Sequence, residues 1–266
     1  MMENWRGKTV WITGASSGIG RALAVKLADL GCTVVISARR LEVLEEVAQY
    51  SPRYLLPLVA DITDSNARDD IRKQLSERVE SIDIAIFSAG IAEYENNLDF
   101  VDERYQRVFA ANFFGLVNSV AIALPLLKKS QHKPYIVGIT SLSVVVGFPR
   151  AEAYGASKAA ADYFLKSLRT DLSPDEFDIS VVRPGFVTTP MTSVNDFPMP
   201  FVMSADEAAE RIIRGMTKRK LIFSFPTRFT LILQLLSFFP SLWYKKLAPK
   251  MNRHKNNRQH PVRKGI

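Results

Sequence analysis

Short runs of apolar residues alternate along this chain with longer stretches in which apolar residues recur every three or four positions. A short apolar run bounded by turn residues is typical of a buried strand, and the longer period is typical of an amphipathic helix. The predicted strands are Thr9–Thr13, Thr33–Ser37, Tyr54–Val59, Ile84–Phe87, Tyr135–Ile139, Ile179–Val182 and Leu221–Phe225. The predicted helices are Gly18–Leu30, Leu41–Gln49, Ser65–Val79, Arg104–Lys129, Ala153–Leu172 and Ala205–Lys218.

The regular alternation of strand and helix predicts an α/β fold of the Rossmann type. In such a fold a doubly wound parallel sheet, here of about seven strands, is covered by helices on both faces. Ligands bind beyond the carboxyl ends of the strands. A glycine-rich turn, Asp61, Gly90, Ser141 and Pro184-Gly185 all closely follow predicted strands, so we expect them to meet at one edge of the sheet.

The first predicted strand leads into a glycine-rich turn, Thr13-Gly14-Ala15-Ser16-Ser17-Gly18-Ile19-Gly20, which opens a helical pattern. Glycine lets the backbone turn tightly and approach a pyrophosphate, and the unpaired amides of a helix N-terminus favour anions. A glycine-rich turn can also be only a tight turn. The order of strand, turn and helix favours a dinucleotide site.

Tyr154 and Lys158 are separated by about one helical turn, so both side chains emerge on the same face of the predicted helix. A phenol normally keeps its proton until about pH 10, and an adjacent ammonium lowers that pKa because it favours the phenolate. Ser141 lies thirteen residues upstream of Tyr154, and its hydroxyl can hold a carbonyl oxygen against the phenol. A Tyr and Lys at this spacing also occur by chance, but with the glycine turn the three residues indicate a general acid/base for carbonyl–alcohol interconversion.

With these motifs the chain resembles the classical short-chain dehydrogenase/reductase family, from about Lys8 to Phe225. The glycine turn fits the cofactor motif of that family, and Ser141, Tyr154 and Lys158 fit its catalytic residues at the usual spacing. Further matches are Asp61-Ile62 after the third strand, Asn112 in the long helix, and the segment Arg183-Pro184-Gly185-Phe186-Val187-Thr188-Thr189. Ser88-Ala89-Gly90 departs from the family pattern, which usually has Asn-Ala-Gly there.

The resemblance implies roles for several of these residues. Asp61 would meet the adenine, Lys158 would hold the nicotinamide ribose, and the segment that begins at Arg183 would grip the nicotinamide carboxamide. Asn112 would link Lys158 to solvent through water, and a polar residue that only packs its helix is the other interpretation. The candidate catalytic residues are Ser141, Tyr154, Lys158 and Asn112. A homodimer through paired long helices is also implied by the resemblance alone.

The end of the second predicted strand bears on which cofactor is bound. NAD-preferring relatives place an acid at about Ala38 to bind the ribose 2′-hydroxyl, and this chain has none there. Arg39 instead suits a 2′-phosphate, because a guanidinium pairs well with phosphate oxygens. A basic residue inside the glycine turn, seen in some NADP-dependent relatives, is absent, since Ser16 and Ser17 stand there. The sequence therefore favours NADP(H) over NAD(H), with a solvated Arg39 as the alternative interpretation.

The candidate cofactor-binding residues come from both the glycine turn and the resemblance. They are Gly14, Ser16, Ser17, Gly18, Ile19, Gly20, Arg39, Asp61, Ile62, Ala89, Gly90, Asn112, Tyr154, Lys158, Pro184, Gly185, Val187 and Thr189.

These residues predict an NAD(P)-dependent oxidoreductase that reduces a carbonyl or oxidises a secondary alcohol by hydride transfer. The loop Thr189–Ser204 contains three prolines and is rich in Met and Phe. In the family this region closes over the substrate, and its apolar content favours a lipophilic substrate such as a fatty-acyl or sterol-like compound. An ordinary surface connection is the alternative interpretation of this loop.

Residues beyond Pro226 depart from the minimal family pattern, so we divide the chain into a catalytic NADP-binding domain, 1–226, and an extension, 227–266. Phe229–Phe239 is strongly apolar, and eleven helical residues reach about 17 Å, short of the roughly 30 Å of bilayer hydrocarbon. In one interpretation this helix covers the substrate pocket or a dimer contact. In another, residues 229–266 make peripheral contact with a membrane.

Charge distinguishes the end of the chain from the rest. The eight basic residues from Lys245 to Lys264 account for the whole excess of 35 Lys and Arg over 27 Asp and Glu. They would lie on anionic headgroups in the membrane interpretation. Nucleic-acid binding is not expected, because the chain lacks a base-reading module.

Composition narrows the remaining function classes. Cys32 is the only cysteine, so no intrachain disulfide can form, and the first eight residues lack a hydrophobic signal core. The three histidines have no metal-ligand spacing, so no metal site is predicted. We expect a cytoplasmic protein, with peripheral membrane contact as the alternative. A non-catalytic NADP-binding membrane or partner adaptor is the second functional class, which the intact Ser141, Tyr154 and Lys158 disfavour.

Overall fold

A parallel sheet of seven strands lies at the centre of the protein. The computed structural model describes residues 5–95, 99–173, 175–193, 195 and 197–251. The strands are β1 Thr9–Thr13, β2 Thr33–Ala38, β3 Leu55–Val59, β4 Ile84–Phe87, β5 Tyr135–Ile139, β6 Asp178–Pro184 and β7 Ile222–Phe225. Their order in the sheet is β3-β2-β1-β4-β5-β6-β7, so the chain reverses direction across the sheet between β3 and β4.

Helices cover both faces of this sheet. They are α1 Gly18–Asp29, α2 Leu41–Ala48, α3 Arg68–Arg78, α4 Asp102–Phe109, α5 Gly115–Leu127, α6 Glu152–Asp171, α7 Ala205–Thr217 and α8 Thr227–Ser237. One hydrophobic cluster joins the sheet to α1, α2 and α7, and a second joins it to α3, α5 and α6. Because both faces are buried, the interior of β1 is apolar: Val10 and Ile12 enter the first cluster and Trp11 enters the second.

The predicted fold class is confirmed, with helices on both faces of a parallel sheet and short helices at the C-terminal end. The ends of individual elements differ from prediction by up to three residues. Helix α3 begins at Arg68 and not at Ser65, because Asp64 Oδ1 accepts a hydrogen bond from the Asn66 amide at 2.8 Å and closes a turn there. Strand β6 is longer than predicted, since it pairs with a strand on each side.

The long helix predicted from Arg104 to Lys129 runs from Asp102 to Leu127 and contains one turn of π-helix, Ala110–Phe114. The sequence pattern does not predict this turn. Among the described residues this is the one helix long and apolar enough to cross a membrane. More than half of its most apolar stretch is buried, because α5 packs against β4 and α3 in the core.

The extension begins directly after the last strand. Only Pro226 separates β7 from α8, and further helical turns cover Pro240–Leu242, Trp243–Leu247 and Ala248–Met251. A third hydrophobic cluster joins α8 and these turns to the segment that follows β5, and it contains Leu142, Val146, Phe229, Leu233, Trp243 and Ala248. The helix predicted for Phe229–Phe239 is therefore present, two residues earlier than expected, and one of its faces packs on the domain.

Candidate active site

A large cleft lies beyond the carboxyl ends of the strands. Sixteen of the eighteen candidate cofactor-binding residues line it: Gly14, Ser16, Ser17, Gly18, Ile19, Arg39, Asp61, Ile62, Ala89, Gly90, Tyr154, Lys158, Pro184, Gly185, Val187 and Thr189. The glycine turn, Asp61, Gly90, Ser141 and Pro184-Gly185 are all among the lining residues, so they meet at one edge of the sheet as predicted. We call this cavity the dinucleotide cleft.

Two of the predicted cofactor contacts, Gly20 and Asn112, do not line the dinucleotide cleft. Gly20 lies inside the first turn of α1, where a Cβ atom would overlap the Gly14 carbonyl oxygen. Its absence of a side chain thus lets the helix pack on the turn and contributes no contact to a ligand. Asn112 is buried behind the cleft wall.

The glycine-rich turn places backbone where a side chain cannot fit. Gly14 has φ of +71°, and a Cβ atom there would lie 2.5 Å from the Ala89 Cα atom. Ser17 precedes α1 in an extended conformation and makes no capping hydrogen bond with its side chain. The amides of the first turn of α1 are therefore available to an anion at the helix N-terminus.

These features fit a dinucleotide. Thr13 Oγ1 is buried in the wall of the dinucleotide cleft and has no hydrogen-bond partner among the described residues, so a ligand could satisfy it. At the far side of the cleft, Arg39 and Arg40 are exposed just after β2. Asp61 Oδ1 accepts hydrogen bonds from the Thr63 amide at 2.9 Å and its hydroxyl at 2.7 Å. Phosphate groups would thus meet amides and guanidinium groups at the two ends of the cleft.

Tyr154 and Lys158 lie on one face of α6, and Ser141 follows β5. All three residues line the dinucleotide cleft, as the sequence predicts. The Lys158 ammonium is buried and donates a hydrogen bond to the Ile139 carbonyl oxygen at 3.1 Å. Ser141 Oγ accepts a hydrogen bond from the Ser143 amide at 3.1 Å, and the Ser141 hydroxyl also interacts with the Tyr154 phenol.

Burial has opposite effects on the two titratable groups. It raises the pKa of the Tyr154 phenol, and the hydrogen bond with Ser141 offsets part of that rise. It lowers the pKa of the Lys158 ammonium to about 8. The expected fall in the Tyr154 pKa is therefore wrong for this structure, because loss of water around the phenolate outweighs the favourable interactions.

Asn112 lies within the π-helical turn, a feature often found at functional sites. Its side chain accepts a hydrogen bond from the Ile91 amide at 2.8 Å and donates to the Ile91 carbonyl oxygen and to Ser157 Oγ, each at 2.9 Å. Ser157 in turn donates to the Tyr154 carbonyl oxygen at 2.8 Å. Asn112 thus connects the helix of Tyr154 to the segment after β4, a connection through Ser157 that the sequence analysis missed.

A second cavity adjoins the dinucleotide cleft, and we call it the apolar pocket. Both cavities are bordered by Ser141, Tyr154, Pro184, Gly185, Met191 and Thr192. The walls of the pocket are mainly aromatic and aliphatic, and they include Tyr94, Leu142, Phe148, Phe186, Phe197, Phe229 and Met251. Two of the four catalytic candidates, Ser141 and Tyr154, therefore lie where the two cavities meet.

The loop predicted to cover the substrate contributes Met191, Asn195 and Phe197 to the apolar pocket. The wall is completed by the extension. The Phe229 ring lies 5.8 Å from the Phe186 ring, and Trp243 Nε1 donates a hydrogen bond to the Gly147 carbonyl oxygen at 2.8 Å. The inner face of α8 therefore agrees with the interpretation in which the extension covers the substrate pocket.

Two polar residues in the pocket wall escaped the sequence analysis. Arg150 is the one Lys, Arg, Asp or Glu residue among the described residues that line the pocket, and its Nε donates a hydrogen bond to the Glu95 carbonyl oxygen at 2.9 Å. Ser143 Oγ is buried in this wall without a hydrogen-bond partner in the described part of the chain. Neither belongs to a recognisable motif, so no signal in the sequence indicates them.

A buried ion pair behind the site was also missed. Asp162 lies one turn after Lys158 on α6 and accepts two hydrogen bonds from Arg183, at 2.6 and 2.7 Å. Burial alone would raise the pKa of the Asp162 carboxyl, but hydrogen bonds from Arg183 and Lys166 outweigh it and lower that pKa. The pair fixes α6 to the end of β6, where Pro184 borders both cavities. Across the described ranges, no group of three or more His, Cys, Asp or Glu residues is placed to hold a metal ion.

Comparison with known proteins identifies the family of this chain. Residues 8–197 match the family model described as short chain dehydrogenase. An uncharacterized oxidoreductase from Myxococcus xanthus is 30% identical, over 92% of this chain and 97% of its own length. A fatty acyl-CoA reductase from Acinetobacter baylyi is 34% identical over 82% and 75% of the two chains, and 11-beta-hydroxysteroid dehydrogenase 1A from Arabidopsis thaliana is 32% identical over 85% and 70%.

Solved structures share the fold at lower identity. A short chain dehydrogenase/reductase from Burkholderia phymatum in complex with NAD matches with a TM-score of 0.81 and 20% identity, over 91% of this chain and 96% of that one. A short chain dehydrogenase from Burkholderia cenocepacia in complex with NADP matches with a TM-score of 0.78 and 23% identity, over 92% and 99%. The match of the family model over most of the chain decides the assignment: this protein belongs to the short-chain dehydrogenase family and is an oxidoreductase of that family.

Proposed function

We propose that this protein is an NADP(H)-dependent reductase of a lipophilic ketone or aldehyde, with a fatty-acyl or sterol-like substrate. The observation that carries the proposal is the position of Ser141 and Tyr154 at the junction of the dinucleotide cleft and the apolar pocket. A carbonyl group placed there would face both hydroxyls, while the remainder of an apolar substrate would lie against aromatic side chains.

Each residue then has a distinct role in the reaction. The cofactor, when bound, supplies or accepts a hydride at the carbonyl carbon. Ser141 donates a hydrogen bond to the carbonyl oxygen and orients it. Tyr154 gives that oxygen a proton, since a phenol is protonated at neutral pH, as reduction requires. Lys158 would hold the nicotinamide ribose and, with Asn112, would return a proton to Tyr154 from solvent.

The preference for NADP(H) rests on Arg39. This guanidinium is exposed at the end of β2 and lines the dinucleotide cleft, whereas the preceding Ala38 offers no carboxylate to a ribose 2′-hydroxyl. A guanidinium binds a phosphate through two parallel hydrogen bonds, which a 2′-phosphate would accept.

The lipophilic substrate is supported by the pocket and by two relatives. Aromatic rings line the pocket, and the two relatives are a fatty acyl-CoA reductase and an 11-beta-hydroxysteroid dehydrogenase. The two names refer to compounds with a large apolar part, a fatty-acyl chain and a steroid. Ser143 Oγ and Arg150 in the same wall would suit a polar substituent on the substrate.

NADPH consumption tests the proposal. The purified protein is incubated with a long-chain aldehyde, a ketosteroid and a short polar ketone, and the Tyr154→Phe variant serves as the control. We expect turnover with an apolar carbonyl compound and a loss of about 10²- to 10⁴-fold in the variant, the range for removal of a general acid. Cofactor affinity, measured by fluorescence titration, should stay within a few-fold because the phenol oxygen alone is removed.

The second candidate function, a non-catalytic NADP-binding adaptor, gives a different result. It predicts NADPH binding without turnover of any carbonyl compound, and equal behaviour of the wild type and Tyr154→Phe. Near wild-type turnover in Tyr154→Phe would instead show that another group is the acid.

Cytoplasmic location and a homodimer belong to the same proposal. A dimer through the long helices is supported by two exposed aromatic side chains, Phe114 in the π-helical turn and Tyr163 on α6, which are 55% and 74% exposed. Light scattering on the purified protein measures the subunit number, and fractionation of the host cell measures the location.

A further inference from the structure

The outer face of the extension is apolar although nothing in the described structure covers it. Among the residues that the structure describes, nineteen large hydrophobic residues are exposed, and seven of them lie between Leu231 and Tyr244. They are Leu231, Ile232, Leu235, Phe238, Phe239, Leu242 and Tyr244, at 40–79% exposure. A concentration of this kind marks an interaction surface, since single exposed apolar residues are otherwise scattered.

Helix α8 separates two apolar faces. Phe229 and Leu233 point into the third hydrophobic cluster and are 6% and 1% exposed. Leu231, Leu235 and Phe238 recur at the spacing of one helix face and are 59%, 61% and 79% exposed. Packing against the pocket wall therefore accounts for only one side of the helix. The other side is apolar as well, and an apolar partner would have to cover it.

The positive charge near this face indicates which apolar partner covers it. Residues 211–266 contain fourteen Lys or Arg residues and no Asp or Glu. Four of the fourteen, Arg228, Lys245, Lys246 and Lys250, are exposed within the helical segment 227–251 that carries the apolar face. An apolar helix face bordered by basic side chains is typical of helices that lie in the interface of an anionic membrane.

A second copy of the chain suits this surface poorly. In a two-fold dimer the same patch meets itself, so the basic side chains of each subunit would face those of the other. No acid in residues 211–266 could pair with them. Like charges across an interface cost binding free energy, whereas anionic headgroups would neutralise them.

We propose that the outer face of α8 and the helical turns after it dock on an anionic lipid bilayer. The helix lies parallel to the membrane plane, with Leu235 and Phe238 in the acyl region and Lys245 and Lys246 on the headgroups. Its eleven residues reach about 17 Å, so it does not cross the bilayer. Because Phe229 on the inner side of the same helix lines the apolar pocket, docking sets the pocket one helix diameter from the lipid phase.

Vesicle co-sedimentation without substrate tests the docking, so its result is independent of the proposed reaction. The full chain is mixed with vesicles of phosphatidylcholine alone or with a minority of phosphatidylglycerol. We expect the protein to pellet with the anionic vesicles and to be partly released by high salt. Protein that stays in the supernatant with anionic vesicles, or pellets equally with both, overturns the proposal.

Variants at neighbouring positions of α8 separate a membrane contact from a general effect of charge. Leu235→Glu should weaken vesicle binding about tenfold to a hundredfold, because an apolar side chain that enters the bilayer is replaced by a charge. Gln234→Glu adds the same charge at the adjacent exposed position and, since Gln234 lies outside the apolar face, should change binding far less. Equal loss in the two variants contradicts the assigned face.

Two further measurements complete the test. Lys245→Gln and Lys246→Gln should each weaken binding about fivefold at low salt and reduce its salt dependence. Circular dichroism checks that all variants are folded, and light scattering follows their mass. A change of subunit number in Leu235→Glu, with unaltered vesicle binding, would assign the face to a second copy and reject the membrane.

Discussion

The residues of the active site owe their properties to burial. Tyr154 and Lys158 share one helix face, and loss of water favours the neutral form of each side chain. The phenol therefore becomes a weaker acid, and the ammonium becomes easier to deprotonate. Burial of the ammonium also carries a cost in stability at Lys158.

Replacement of Lys158 by Met should increase stability and reduce turnover. At about pH 7 we expect the free energy of unfolding to rise by about 1–3 kcal/mol, since the buried ammonium has its pKa lowered from 10.5 to about 8. Each unit of that shift costs about 1.4 kcal/mol, and loss of the hydrogen bond to the Ile139 carbonyl oxygen offsets about 1 kcal/mol. Urea denaturation and NADPH consumption measure the two effects.

The effect of Lys158→Met on stability should depend on pH, in a direction set by the lowered pKa of Lys158. Between about pH 8 and 10.5 the folded protein binds fewer protons at Lys158 than the unfolded chain does, so wild-type stability rises with pH across that window. The advantage of Lys158→Met should therefore shrink toward high pH. Lys73→Met, at an exposed position on α3, is the matched control and should show no gain. An advantage that stays constant from pH 7 to 10.5 would show that burial of the ammonium is not the cause.

Arg39→Asp should shift cofactor preference from NADPH toward NADH. A carboxylate there repels a 2′-phosphate and can accept a hydrogen bond from a ribose hydroxyl. Loss of one charge-assisted pair corresponds to roughly tenfold to a hundredfold in affinity for NADPH. Equilibrium titration with both cofactors measures the ratio. An unchanged ratio would show that Arg39 is merely solvated.

At the scale of elements, the glycine turn and α1 depend on a close backbone approach. A Cβ atom at Gly20 would overlap the Gly14 carbonyl oxygen, whereas one at Gly155, on α6, would meet no atom within 4 Å. Both glycines lie in helices and within sequence motifs, so the sequence alone does not show that Gly20 is closely packed and Gly155 is not.

Gly20→Ala and Gly155→Ala should therefore have opposite effects. We expect Gly20→Ala to lower the free energy of unfolding by about 1–3 kcal/mol, the usual cost of overpacking, and to weaken cofactor binding by displacing the turn. Gly155→Ala should raise it by about 0.5–1 kcal/mol, because Ala is the better helix former. Thermal melts with and without NADPH measure both. Equal effects of the two substitutions would refute the packing argument.

The sequence predicts the elements and motifs better than their neighbours in space. The positions of Ser141, Tyr154 and Lys158 follow from spacing along the chain, because one helix and one strand end carry all three. The π-helical turn around Asn112 and the pair of Asp162 with Arg183 depend on side chains far apart in sequence, which no local period encodes. The direction of the Tyr154 pKa shift was predicted wrongly for the same reason, since burial is a property of the folded chain.

At the scale of the whole molecule, the extension links the end of the chain to the site. Phe229 contacts Phe186 and Phe201 and lines the apolar pocket, so residues beyond the last strand shape the space around a substrate. Because α8 has an inner and an outer face, a substitution on this helix can change either the apolar pocket or the exposed surface, depending on the face.

Phe229→Ala and Leu231→Ala should separate these properties. Phe229 is 6% exposed, and its truncation should cost about 3–4 kcal/mol of stability and raise KM for a long apolar substrate more than for a short one. Leu231 is 59% exposed on the same helix, and its truncation should change stability by less than about 0.5 kcal/mol. Urea denaturation and steady-state kinetics measure the difference, and a uniform change in KM for both substrate lengths would argue against a role of Phe229 in the pocket wall.

The direct connection of β7 to α8 also separates what is fixed in this protein from what is exchangeable. Tyr154, the proposed proton donor, and the dinucleotide cleft belong to the edge of the sheet, but Phe229 and Met251 in the pocket belong to the extension, which is joined to the sheet at Pro226. Mutations, or replacement of the whole segment, could therefore alter the range of substrates while every residue of the reaction centre is retained. We therefore expect new substrate specificities to evolve through substitutions in the extension, which would disturb the reaction least. Redesign of the enzyme would start there for the same reason.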